Sequence, residues 1–92
     1  MATRIAAARA LTAEVLLRHL RGEQVPALAA MAKNTATDMC TFVCDHAVQI
    51  HGGYGYMREY DVERALRDSR LGPIGGGTSE IMKEIIGKQL GL

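Results

Sequence analysis

Residues 71–81 read Leu71-Gly72-Pro73-Ile74-Gly75-Gly76-Gly77-Thr78-Ser79-Glu80-Ile81, a glycine-rich turn with one proline that runs straight into a helix start. The rest of the chain reads as a frame for that turn. Gly75, Gly76 and Gly77 carry no Cβ, so the backbone is free to take positive φ and another group can approach the main chain closely. Thr78 and Ser79 are both good N-cap residues. A helix start presents unpaired N–H groups and the positive end of the macrodipole, which together favour a phosphate or carboxylate. The residues suggest an anion-binding turn. A glycine run before a helix also serves as a plain tight connection, and on these residues alone both readings stand.

Working outward, the segment after the turn is predicted to be a helix starting at Thr78 or Ser79. Its apolar side holds Ile81, Met82, Ile85, Ile86 and Leu90, it ends near Gly91, and Glu84 and Lys88 form a favourable i, i+4 pair. Before the turn, Asp61 is expected to cap a short helix over Val62, Ala65, Leu66 and Ser69. Arg64, Arg67, Asp68 and Arg70 read as its solvated face, the alternative being one arginine buried against Asp68 to pin the loop. Further back, Gly52-Gly53-Tyr54-Gly55 should stop a long helix that begins at Pro26. Leu28, Met31, Thr35, Met39, Phe42, Val43, His46 and Ile50 recur on it at helical spacing, and Ala29, Ala30, Ala32 and Ala36 allow a neighbour to come close. Lys33, Asp38 and Asp45 fall off that stripe and are expected to face water. The first helix should run from Thr3 to Arg21, with Ile5, Ala8, Leu11 or Thr12, Val15, Leu16 and Leu20 on its apolar side, His19 as a satisfied structural residue beside it, and Gly22 closing it.

Composition agrees with helices. The chain has 92 residues, of which 48% are hydrophobic, with no Trp and one Phe, so it suits an all-α, antiparallel helical bundle forming a single helical domain over 1–92. A domain this small buries a modest share of its surface, so partners are expected. A net charge of +1 with interspersed signs gives no footprint for nucleic acid or an anionic membrane, and no apolar run is long enough to span a bilayer. The amphipathic, arginine-bearing opening from Met1 to Leu20 also has the character of a mitochondrial transit peptide, but it makes a good structural helix and is read as one. Cys40 and Cys44 share a helix face. They do not suit a disulfide, and with His46 and His51 they match no zinc spacing, so no metal site is assigned and both are read as buried reduced thiols.

From Gln49 to Asp68 the chain reads QIHGGYGYMREYDVERALRD, and this resembles the signature near the C-terminus of acyl-CoA dehydrogenases. Gln49, Gly52, Gly53, Gly55, Tyr56, Glu59, Arg64 and Asp68 keep its spacing. GPIGGGTSEIMKEIIGKQLGL resembles the family's closing turn and helix, and Met31-Ala32-Lys33 fits what precedes. The resemblance covers essentially the whole chain and implies the later helices of a C-terminal four-helix domain, a fragment of a protein several times longer. It implies FAD as cofactor and an acyl-CoA thioester as substrate: a glutamate removes the α-proton while hydride leaves the β-carbon for the flavin, and electrons pass to an electron-transfer flavoprotein. It further implies a homo-oligomer, in the cytoplasm or, in a eukaryote, the mitochondrial matrix.

Residue by residue, the resemblance assigns Gln49, Ile50, His51, Gly52 and Gly53 to the adenine-dinucleotide part of an FAD held by a neighbouring subunit. It assigns Thr78, Ser79 and Glu80 to a second FAD contact and Gly77 to a substrate contact beside the thioester. Both stretches are expected to offer bare main chain. The departure is Gly76, where many members carry the catalytic glutamate. Glycine accepts no proton, and the chain looks like the long-chain and isovaleryl-type branch, whose base lies on an earlier helix; no catalytic residue is assigned here. Glu80 is a poor substitute, because the dipole of its helix stabilises its anion. The alternative to an enzyme part is a non-catalytic helical assembly module whose apolar stripes are covered by another copy.

Overall fold

The computed structural model describes all 92 residues. Four α-helices and one 3₁₀ turn follow in order: α1 (Ala2–Leu20), α2 (Pro26–His51), the 3₁₀ turn (Gly52–Tyr56), α3 (Asp61–Ser69) and α4 (Ser79–Gln89). Strands are absent, as expected for the all-α class. The 26-residue helix α2 is the spine, about 39 Å long at 1.5 Å per residue. Helix α1 touches α2 alone, whereas α3, α4 and the 3₁₀ turn all lean on α2.

Punctuation residues set these bounds. Gly22 follows α1 at φ +81°, Pro26 occupies the first turn of α2, and Gly52 ends α2 at φ +61°. Helix α1 runs antiparallel to α2: Arg4 lies over the Phe42 ring at 3.7 Å, while Val15 and His19 share a groove with Pro26 and Ala29 at the other end. Small residues make the closest approach. Ala8, Ala30 and Ala32 are the buried hydrophobics, and Gly55 and Ser69 complete the five buried residues of 92. Large apolar side chains stay outside, including Leu16, Leu17, Leu20 and Ile50.

Helix α2 stops before Gly52 as expected, and the chain goes on in a 3₁₀ turn over Gly52–Tyr56. Several other expectations are corrected. Asp61 is the first residue of α3 and not its cap; Tyr60 holds the cap position without a side-chain bond. The solvated reading of α3 holds, with Arg64 paired to Asp61 and Arg67 to Glu63, and no arginine buried against Asp68. Glu84 and Lys88 do not come within ion-pair distance. Cys40 is exposed and Cys44 half-buried, so the expectation of two buried thiols is corrected. The Cys40 thiol is still pushed up in pKa, first by partial burial and then by neighbouring Cys44. His19 is exposed as well. The largest correction concerns Lys33, which does not face water.

Candidate functional site

Lys33 lies half-buried on α2 beneath the glycine turn. Its Nζ donates to the Gly72 carbonyl at 2.8 Å and to the Gly77 carbonyl, bridging the beginning and the end of the turn. Next to it, Asn34 Nδ2 donates to the Ser79 carbonyl at 3.2 Å. Thr37 supports the same loop, since a Cβ on Gly72 would come within 3.1 Å of its Cγ2. Lys33, Asn34 and Thr37 thus fasten the stretch from Gly72 to Ser79 to α2.

The turn itself needs glycine at two places. Gly76 has φ +65° and Gly77 φ +105°, which L side chains rarely adopt, whereas Gly75 is not in the positive-φ region. The Ser79 N–H reaches back to the Pro73 carbonyl at 3.0 Å, and Thr78 caps α4 by accepting the Ile81 N–H on Oγ1 at 3.2 Å. The N–H groups of Gly76, Gly77, Thr78 and Glu80 have no acceptor within the chain. Nothing lies within 4 Å of a Cβ built on Gly76, so the main chain there is open. These unpaired donors at a helix start fit a phosphate or another oxygen-rich group.

The other predicted stretch sits elsewhere. Gln49, Ile50 and His51 are the last three residues of α2, fifteen or more positions beyond Asn34, which is about 22 Å along the helix. The two stretches are therefore not gathered into one pocket, though both lie along the same helix. The expectation of bare main chain is corrected for Gln49–His51. As helical residues they bond their N–H groups four residues back, so they offer exposed side chains and the carbonyl end of a helix. His51 Nδ1 donates to the Ala47 carbonyl at 2.7 Å, leaving Nε2 of the neutral ring as an acceptor. Gly52 and Gly53 are open, with nothing within 4 Å of a built Cβ. Gly55, not among the predicted contacts, is buried against the Val48 carbonyl, with which a Cβ would collide.

Beside that stretch, a cleft of about 430 Å³ is lined by Val48, Gly55, Tyr56, Arg58, Glu63, Leu66 and Arg67. Arg67 donates to Glu63 at 2.8 and 3.1 Å, and these bonds hold the Glu63 carboxylate below the usual range while raising the guanidinium. No group of three or more His, Cys, Asp or Glu residues converges as a metal site would require. Lys33 and Asn34 were missed in the sequence because their acceptors are main-chain carbonyls, which leave no trace in residue identity. The available signal was two polar residues among Ala29, Ala30, Ala32 and Ala36.

Residues 1–91 match the family described as acyl-CoA dehydrogenase, C-terminal domain. A Bacillus subtilis acyl-CoA dehydrogenase is 48% identical over 90 residues, covering 98% of this chain and 24% of its own. The caffeyl-CoA reductase-Etf complex subunit CarC of Acetobacterium woodii is 41% identical, with 98% and 24% covered. The crystal structure of a probable acyl-CoA dehydrogenase from Mycobacterium abscessus superposes with a TM-score of 0.95 at 51% identity, over 98% of this chain and 24% of that one. The chain thus spans about a quarter of the length of these relatives. No helix in it is long and apolar enough to cross a membrane. From its paired glycine turns to the course of all four helices, the chain belongs to the acyl-CoA dehydrogenase family, as that family's C-terminal helical domain.

Proposed function

We propose that this chain serves as the C-terminal helices of an FAD-dependent acyl-CoA dehydrogenase, contributing contacts to FAD and surface to subunit packing. The observation that carries the reading is the closing turn: four unpaired N–H donors between Gly76 and Glu80, two of them on glycines with positive φ and two at the capped start of α4. Thr78, Ser79 and Glu80 would hold an oxygen-rich part of FAD, with Gly77 beside the thioester of an acyl-CoA. Gln49, Ile50, His51, Gly52 and Gly53 would meet the adenine end of an FAD held by a neighbouring subunit. Gln49 both donates and accepts, and the helix end adds acceptors, which suits an amino group or ribose hydroxyls better than a pyrophosphate. When bound, FAD supplies the two-electron oxidation of the acyl group. This chain supplies no base: Gly76 has no side chain, and exposed Glu80 lies in the first turn of α4, where the dipole favours its anion. An electron-transfer flavoprotein is the matching electron partner, a reading supported by the relative named as a subunit of an Etf complex.

Surface area supports assembly. The chain exposes 6571 Å², against about 5,200 Å² for a compact monomer of its mass. The excess of about 1,400 Å² exceeds the ~800 Å² per partner of a standard interface, and Leu16, Leu17 and Leu20 on α1 are part of it. Purified alone, the chain should be colourless and should not oxidise acyl-CoA. Co-expressed with a Bacillus subtilis relative lacking its own C-terminal quarter, it should restore a yellow complex that reduces an electron-accepting dye. A colourless mixture that never associates would refute the reading.

A further inference from the structure

The four unpaired donors differ in how their direction is fixed. All peptide bonds in the chain are trans, so within each planar unit the C=O and the next residue's N–H point in opposite directions. The Gly77 carbonyl is held down onto α2 by Lys33, and its peptide unit carries the Thr78 N–H. The Ser79 carbonyl is held down by Asn34, and its unit carries the Glu80 N–H. Each tether therefore turns one unpaired donor away from α2. The other carbonyl on Lys33, that of Gly72, precedes Pro73, so that anchor leaves no N–H to satisfy. We infer that Lys33 and Asn34 are a pair of positioning residues, Lys33 aiming the Thr78 N–H and Asn34 the Glu80 N–H at an oxygen-rich, anionic ligand group. The inference rests on the proposed cofactor role of the closing turn and adds the residues that set its geometry.

Stability alone does not account for the pair. Asn34 Oδ1 is the one buried side-chain oxygen or nitrogen without a partner, which costs about 1–3 kcal/mol. An apolar residue would remove that penalty and lose the grip on Ser79. Lys33 likewise spends a half-buried ammonium on two carbonyls when no carboxylate lies within ion-pair reach. Its charge also adds to the positive end of α4 directly beneath the donors.

The test uses the isotope-labelled chain by NMR, with trimethylamine N-oxide present to favour the folded state. K33M should move the Gly77 carbonyl-carbon and Thr78 amide signals and raise exchange at the Ser79 and Ile81 amides at least tenfold. Helix α1 should be unaffected, and K33R should restore the pattern. N34A should instead move the Ser79 carbonyl carbon and the Glu80 amide. Titrating inorganic pyrophosphate into wild type should shift both the Thr78 and Glu80 amides, K33M losing the first response and N34A the second. Diffuse changes common to both variants, or none, overturn the positioning pair. Separable carbonyl effects without any pyrophosphate response in wild type reduce the pair to anchors of the turn and overturn the aiming role, whereas the cofactor reading fails separately, if the co-expressed complex stays colourless.

Discussion

The two glycine turns have similar composition and opposite character. One follows the C-terminal end of α2, where carbonyls are left over; the other precedes the N-terminal end of α4, where N–H groups are left over. At Gly52–Tyr56 the chain is held by contact, with Gly55 pressed onto the Val48 carbonyl and no side-chain tether. At Gly72–Ser79 it is held by hydrogen bonds from Lys33 and Asn34, which fix the backbone while leaving a gap at Gly76. Glycine is needed at Gly55 for close packing, whereas at Gly76 and Gly77, as at Gly52, it is needed for positive φ. A motif counted as "glycine-rich" therefore means little until the helix end it borders is known.

The sharpest way to break this contrast is substitution. Gly55→Ala places a methyl into the Val48 carbonyl, a backbone atom that cannot step aside, so it should destabilise by about 3 kcal/mol. Far-UV circular dichroism in urea would show the loss of helix. Gly77→Ala should cost less, about 2 kcal/mol, because its φ of +105° strains any L side chain but the atom it meets is the flexible end of Met82. Adding Met82→Ala should give little relief, since the backbone strain remains. Equal costs at Gly55 and Gly77, or full rescue by Met82→Ala, would erase the distinction between packing and φ.

Two smaller changes sharpen it. Thr78→Ala removes the cap on α4 and should cost about 1 kcal/mol, read as faster amide exchange at Ile81. Gln49→Ala should change stability by under about 0.5 kcal/mol, because the side chain is exposed. In the co-expressed complex it should nevertheless weaken FAD retention roughly tenfold, in line with the loss of a hydrogen bond or two. Full retention of FAD would remove Gln49 from the site.

The sequence made the fold legible wherever a residue acts through its own backbone. Gly22, Pro26, Gly52 and Thr78 mark helix ends because φ, a missing N–H or a capping hydroxyl is a property of that one residue. Lys33 was illegible for the opposite reason. Helical spacing put it off the apolar stripe, but that face of α2 meets the closing turn at Lys33 and Thr37 and the end of α3 at Thr41, and its acceptors are carbonyls 39 and 44 residues away. Cys40 was misjudged because apolar character predicts burial only when some element covers the position, and Cys40 is exposed. The separation of the two predicted contact stretches follows from counting residues along α2, and the same reading that put Ile50 on that helix and its end at Gly52 already conflicted with bare main chain at Gln49–His51.

The smallest expected effect concerns α3, the only helix between the two turns. Glu63 accepts two hydrogen bonds from Arg67, and these hold its folded-state pKa below the ordinary carboxylate value of about 4.3. A depressed folded pKa means that the unfolded chain binds the proton more readily, so the pair's contribution is complete above the unfolded pKa and disappears as pH falls through the folded one. Arg67 keeps 66% of its side-chain surface exposed, so water and salt screen the pair and the effect should be slight. Lowering the pH from about 5 to below 4 should thus loosen α3 before the closing turn, because the bonds from Lys33 go to carbonyls that do not titrate there. A carboxyl-carbon titration of Glu63 checks the sign directly. A midpoint at or above the ordinary value would remove the Arg67 effect, and loss of Gly77 and Ser79 order at the same pH as α3 would show that the two turns are coupled through α3 and not held separately on α2.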